Sequence, residues 1–589
     1  MSKNIWSNLY TDEAQPRDSW RPTMAGCRYA AATGHYLGTQ AAMRILDRGG
    51  NAVDAGVTAA MALAVLQPNI VSFAGVAPTL VYLHQEQRVV SLAGLGYWPA
   101  ATDVKRLIEE GGEVVPEGIL RTVIPAAPAT HVEALRRFGT ISFEEAATPA
   151  LELARDGFPM YPLLEHNIES VKGGFDRYSE NARIFRPGGR TPKVGELFRQ
   201  EDLGRTIAGM IEAERQARGD RDRKLRVAHE YFYRGPIAQK IADYHAQHGG
   251  FMTKDDLAGF EVPVENSVRC RYKELEVHVC DAWCQGVVLL ETLKILEGMD
   301  LKKLGHNTLE YVHTIGEAFA LSFADREAYF GDPRFVEVPT AQLISEAYAA
   351  AQCARIRSDR AFGEMPAPGD PWGNRRPASI LKVRSAASAA SVMPMPDTIY
   401  GCTVDAEGNA YSVTPSDNAN DTPIIPGTGL AVSSRGNQSR LAKGHPNEVK
   451  PGKRPRLTPA PALALRGGKF YMALGTPGGD VQMQAMLQVL LNVYEFNMSM
   501  QTAVEKPRVG NFSYPNSFAP HQYIPGRLCV EKSLADTIGA RLQAMGHDLE
   551  VWPERSPKAG GVCAIVQDTA TGLLYAGADC RREGSASAW

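Results

Sequence analysis

The chain has 589 residues and a mass of 64.1 kDa, with 44% hydrophobic and 22% charged residues and a mean hydropathy of −0.24. That composition suits a globular protein with ample apolar material for a large core and excludes a disordered or collagen-like chain. The formal net charge of −3 gives no basic excess with which to hold phosphates, so no nucleic-acid partner is expected.

From the start, MSKNIWSNLYTDEAQ has no apolar run after its lysine, so no signal peptide is expected. The region from Gly38 to Leu66 reads as two helices divided by Gly49-Gly50-Asn51. The second, Ala52 to Leu66, is almost all Ala, Val, Leu and Met and should be buried on most sides, with Pro68 closing it. The stretch from Ala55 to Leu83 lacks formal charge, but Gln67-Pro68-Asn69 interrupts it. It therefore reads as a buried helix followed by a strand, not a membrane span. Val71 to Leu83 and Val89 to Ala93 read as strands joined through His84-Gln85-Glu86-Gln87.

Residues 130–260 read as mostly helical, with solvated charge runs such as Glu212 to Arg226. A strand at Val277 to Cys280 and a helix at Val287 to Leu296 come next, then long amphipathic helices through Ala350. His278, Cys280 and Cys284 are spaced loosely like metal ligands, but no second Cys/His pair lies nearby. They read as core residues at a strand end, and neither a metal nor another cofactor is expected. The nine cysteines are odd in number and scattered. No disulfide framework and a cytoplasmic location are expected.

From Met365 to Pro396 the composition shifts to Pro, Gly, Ala and Ser and reads as an exposed loop. Strands then read at Thr398 to Val404, Ala410 to Thr414, Ala462 to Arg466, Phe470 to Leu474, Gly561 to Gln567 and Leu573 to Gly577. Helices read at Val481 to Tyr494 and Leu534 to Met545. Paired strands covered by helices imply a layered α+β architecture.

The informative feature is the loop that ends in Asp397-Thr398 at the head of a strand. An internal threonine hydroxyl has no base beside it. A threonine at a chain terminus carries its own α-amine, which titrates at about 7.7–8.0 in model peptides and can take the hydroxyl proton. From the residues alone, Thr398 is equally a β-branched residue opening a strand.

Several blocks in order resemble the γ-glutamyltransferase family of N-terminal-nucleophile (Ntn) hydrolases over nearly the whole chain. They are GGNAVDAGVTAAMALAVLQP, FGTISFEEAATPALELARDGF, GGFMTKDDLAGFE, GDPRFVEVP, DTIYGCTVDAEGNAYSVTPSDN, LGTPGGD and AGADCRREG. The resemblance implies a four-layer αββα sandwich of two antiparallel sheets. It implies a precursor cut between Asp397 and Thr398 into a large subunit, 1–397, and a small subunit, 398–589, which together make one Ntn-hydrolase fold. The two pieces would form a heterodimer, with a dimer of heterodimers as a further assembly. Thr398 would be the nucleophile, Ser416 the second hydroxyl beside it, and the amides of Gly478 and Gly479 the oxyanion donors. Asn418, Arg435, Gln438 and Thr458 fall in the substrate-binding segments.

The chain also departs from the family pattern. It begins its second part Thr398-Ile399-Tyr400, where the family usually has Thr-Thr-His. The acid that grips the substrate α-amine becomes Gln438, the paired serines become Leu457-Thr458, and no arginine lies in Gly94 to Trp98. Arg435 is read as either a surface residue or a partner for a substrate carboxylate. Losing charged partners of this kind costs specificity for a glutamate zwitterion. The expectation is an amidohydrolase acting on a small-molecule amide through a Thr398 acyl-enzyme, with an altered acyl pocket. The alternatives are a true γ-glutamyltransferase or glutathione hydrolase, and an uncleaved inactive member serving as a binding protein.

Overall fold

A computed structural model describes residues 19–373 and 398–589; the segment 374–397, with Asp397 and most of the expected loop, lies outside the described residues. Two helices run Tyr36–Asp47 and Ala52–Leu66. Asn51 starts the second through a capping box: its side chain accepts the N–H groups of Val53 and Asp54 while Asp54 accepts that of Asn51. Every residue of Ala52–Leu66 is buried, as its nearly all-apolar circumference requires.

The strand expected from Val71 begins only at Thr79. The residues before it are irregular because their backbone serves a different partner. Val76 and Ser416 exchange N–H···O bonds at 3.2 and 3.0 Å, Asp417 N donates to Ile70 O at 3.1 Å, and Thr414 N donates to Pro78 O at 3.0 Å. Pro78 has no N–H with which to continue a ladder.

Two seven-stranded sheets follow, each antiparallel throughout. One orders Met24–Gly26, Leu574–Ala578, Cys563–Gln567, Lys469–Gly475, Ala462–Arg466, Leu275–Val279 and Val268–Tyr272. The other orders Ser585–Ala588, Ala30–Thr33, Gly401–Val404, Ala410–Val413, Thr79–Leu83, Arg88–Leu92 and Val264–Asn266. Their inner faces share one apolar core that includes Tyr82, Val404, Leu463, Ala473 and Ile565. The helix Ala52–Leu66 packs on the outside of one sheet and Gly286–Glu297 on the outside of the other. This is the expected αββα order, an α+β sandwich of two antiparallel sheets.

The helix Leu309–Tyr329 is not amphipathic, contrary to the sequence reading. All its residues except Glu310 and Ala328 are buried, because it packs between Gly286–Glu297 and the strand Val509–Asn511. Among its buried charges Arg326 pairs with Asp480 at 2.6 Å and Glu327 with Arg456 at 2.8 Å. Among the described residues no helix is long and apolar enough to cross a membrane.

Glycine at position 56 sets how closely its helix meets the sheet. A Cβ there would stand 2.1 Å from the Tyr411 ring. Gly56→Ala should therefore destabilise by about 1–3 kcal/mol through overpacking, overriding the ~1 kcal/mol that alanine ordinarily gains over glycine in a helix. Thermal denaturation beside Gly173→Ala, a helical glycine with open space around its Cβ, checks this. A midpoint at or above wild type for Gly56→Ala would refute the packing argument.

Candidate active site

The strand expected to open at Thr398 opens at Gly401. Thr398 is nevertheless fixed: its backbone forms a single antiparallel bridge with Ser416, and Ile399 N donates to Pro415 O at 3.1 Å. The bridge brings the two hydroxyls together, with Thr398 Oγ1 2.8 Å from Ser416 Oγ and both residues fully buried. From the other side Tyr400 O accepts Gly34 N at 3.0 Å. A Cβ at Gly34 would stand 1.9 Å from Ile399 Cδ1 and would push that side chain aside.

Gly478 and Gly479 form the turn after the strand Lys469–Gly475, with φ of 120° and 57°. These are left-handed conformations that side chains resist. The turn passes through Gly479–Val481 into the helix Gln482–Tyr494. Backbone N–H groups at such a start have no acceptor within the helix and sit at the positive end of its dipole. Gln482, which the sequence reading missed, links this turn to the threonine: Nε2 donates to Thr398 Oγ1 at 3.4 Å while Oε1 accepts Ala460 N at 3.2 Å. Its position two residues after Pro-Gly-Gly-Asp was the only local signal. Beneath the turn, Gln285 Nε2 donates to Gly479 O at 3.0 Å and its Oε1 accepts Arg326 Nη1 at 3.1 Å. Arg326 and Gln285 lie more than 150 residues from the turn in sequence, and no motif pointed to them.

Arg435 is fully buried, which overturns the surface reading. Its Nη2 donates to Ser416 Oγ, its Nε lies 3.8 Å from Asp417 Oδ2, and its guanidinium lies 5.4 Å from the Phe518 ring centre. Asp417, also missed, takes φ of 136°. Its carboxyl accepts Ser433 Oγ at 2.5 Å, Ser434 N at 2.8 Å and Ser434 Oγ at 2.7 Å. Burial pushes this carboxyl up from the ordinary range, against Arg435 and the serine hydroxyls, which pull it down. Asn418 is buried beside it, with Oδ1 accepting Ser434 Oγ at 3.3 Å.

Gln438 and Thr458 are joined to each other. Gln438 Nε2 donates to Thr458 Oγ1 at 2.8 Å, and Thr458 N donates to Gln438 Oε1 at 3.3 Å. In the segment Gly94 to Trp98, which has no arginine, the buried Trp98 ring packs on Gly436, 2.7 Å from where a Cβ there would lie. Arg334 lies over the Tyr97 ring at 5.8 Å, and Arg121 is bound to Asp421 at 2.8 Å and to the carbonyls of Pro116 and Val115. His278 serves the strand end, while Cys284 bridges Leu457 beside Thr458. His278 bonds Ser267 and Glu276, and Cys284 accepts Gly286 N.

A family model described as gamma-glutamyltranspeptidase matches residues 38–589. The chain is 29% identical over 573 residues to a glutathione hydrolase-like YwrD proenzyme of Bacillus subtilis, covering 96% of this chain and 99% of that protein. It is 29% identical over 576 residues to the acylase ACY 1 proenzyme of Pseudomonas sp. strain SE83, covering 95% and 93%. The crystal structure of a cephalosporin acylase from Bacillus halodurans superposes with a TM-score of 0.83 at 27% identity, covering 98% of this chain and 99% of that one.

The ion pair beside Ser416 makes a stability prediction. Asp417→Asn keeps a side chain that tolerates positive φ but removes the carboxylate charge beside the buried guanidinium, so it should cost about 3–5 kcal/mol. Adding Arg435→Met should recover part of that loss in denaturant midpoints. Strictly additive losses in the double variant would mean the two residues do not act as a pair.

Proposed function

This chain belongs to the gamma-glutamyltranspeptidase family of Ntn hydrolases, and from that premise we propose an amide hydrolase that cuts itself between Asp397 and Thr398 and then attacks with Thr398. The observation that carries the reading is the pair of buried hydroxyls 2.8 Å apart, with the Gly478-Gly479 turn tied to the same oxygen through Gln482.

In the precursor, Thr398 Oγ1 attacks the carbonyl of Asp397. The amide becomes an ester, and water releases a large piece of 397 residues from a small piece of 192. The new α-amine of Thr398 then takes the proton from Oγ1 as it attacks a substrate amide. The N–H groups of Gly478 and Gly479 hold the tetrahedral oxyanion. The amine passes its proton to the departing amine, and water clears the Thr398 ester. Arg435 donates to Ser416 Oγ, and the Ser416 proton directed at Thr398 Oγ1 supports that oxygen as the amine removes its proton.

The acyl group is small-molecule in scale and is not a free γ-glutamyl unit. The support for this is Gln438 turned onto Thr458 in place of an acid, the lack of an arginine in Gly94 to Trp98, and Arg121 engaged with Asp421. A polar site built without charged partners for a zwitterion discriminates against it. The relatives named acylase fit this reading, and those named glutathione hydrolase make the γ-glutamyl alternative the one to test.

Intact mass should give two pieces for wild type and for Thr398→Ser, and one inactive chain for Thr398→Ala. Wild type that stays whole while turning over substrate would falsify self-cleavage. Ser416→Ala should lower kcat by on the order of 10²-fold and leave the pieces associated. A γ-glutamyl anilide should be a poor substrate beside simple acyl amides; comparable kcat/KM would restore the γ-glutamyl reading. The amine as base predicts kcat/KM rising with pH along a limb near about 7.7–8.0. A mature small piece carrying one extra residue before Thr398 should lose activity, because its amine has become an amide. Full activity there would assign the base to another group.

A further inference from the structure

Away from this site, three buried side chains with metal-ligating chemistry converge. His313 and Glu317 lie one turn apart on the helix Leu309–Tyr329, and His547 follows the helix Lys532–Ala544. Their exposures are 1%, 2% and 5%, and one ligand atom from each lies within 4.8 Å of the others. We propose that His313, Glu317 and His547 form a binding site for a divalent cation of the zinc class, which staples these two helical segments together.

The hydrogen bonds around the cluster suit that role. His313 Nε2 lies 2.7 Å from Arg357 O. A carbonyl only accepts, so the proton is on Nε2, and Nδ1 presents its lone pair to His547 Nε2 at 2.9 Å. An imidazole whose far nitrogen donates to a backbone carbonyl is oriented as a ligand. Two nitrogens at about 2.0–2.1 Å from one tetrahedral zinc stand about 3.4 Å apart. The two rings would therefore part by about half an ångström, with the His547 proton moving to Nδ1.

Glu317 Oε2 accepts Phe362 N at 2.7 Å, which aligns the carboxylate as a supported ligand. Among the described residues no salt bridge neutralises Glu317, and a buried carboxylate is ordinarily paired or metal-bound. Two imidazoles and a carboxylate make an N2O donor set that suits zinc and similar borderline ions over calcium or magnesium. The surrounding chain is held as a unit, with Ala361 N donating to Met545 O at 2.7 Å. His313 and Glu317 precede Thr398 and His547 follows it. If the self-cleavage proposed above occurs, the cation joins the two pieces; its binding does not depend on that cut.

The test uses the full chain, both wild type and Thr398→Ala, loaded with zinc and then desalted. Elemental analysis should find one zinc per chain at this site in both, whether or not the mass shows a cut. Zinc should also raise the thermal midpoint, and a chelator should reverse the rise. Titration against a chromogenic chelator should show affinity falling by more than about 100-fold in His547→Gln, beyond the about 10- to 100-fold lost when only a supporting partner is removed. Glu317→Gln, which keeps the shape of the side chain, should fall in the same direction and decides the matter if His547→Gln does not fold. No retained zinc in wild type overturns the proposal, and so does wild-type zinc affinity in either folded variant.

Discussion

The candidate site rests on one short antiparallel contact, the bridge between Thr398 and Ser416. Ser416 is held on its other side by Val76, so the segment carrying the second hydroxyl runs as a narrow middle strand between two neighbours. That geometry is possible only because Gly75 has no side chain: a Cβ there would stand 2.3 Å from Ser416 O. The same glycine's carbonyl accepts the amides of Ala126 and Ala127 at 2.9 Å. One residue without a Cβ thus joins three segments, and the hydroxyl pair takes its position from a rigid backbone rather than from side-chain packing alone.

Buried charge supplies the second constraint. Arg435 and Asp417 stand beside Ser416, and Arg326 and Asp480 stand beneath the Gly478 turn, all fully buried. In a low-dielectric interior an ion that loses its partner costs far more than the pair contributes when intact. Such pairs add little net stability, but they penalise any displacement of the groups they orient. Ser416 accepts from Arg435, and the turn is held through Gln285. The positions of a hydroxyl and of two glycines are thereby tied to charged groups that cannot readily leave.

The polar groups near the site follow the same logic. Gln438 and Thr458 satisfy each other, and Asp421 satisfies Arg121. A pocket whose polar groups are already paired has no charge to offer a zwitterionic substrate, and binding one would leave that substrate's own charges desolvated. Gln285 ties these groups to the glycine turn, since its Nε2 donates to both Thr458 O and Gly479 O.

Local pattern was enough for much of this molecule. The fully buried helix Ala52–Leu66, the hairpins around Glu407-Gly408 and Gly467-Gly468, and the paired strands near the C-terminus all follow from periodicity and turn chemistry, which act over a few residues. Ordered blocks sufficed for the family and nominated Thr398, Ser416 and the glycine pair. Burial of Arg435, the irregular run before Thr79, the buried helix Leu309–Tyr329 and the roles of Asp417, Gln482 and Arg326 were assigned by packing alone. Each depends on what a residue meets across the fold: Ser72 against Ala431, Val76 against Ser416, Arg326 against Asp480. A chain read along its length carries the period of an element. The partner that buries an arginine or replaces a strand neighbour comes from another segment of the chain, and only folding brings it into contact.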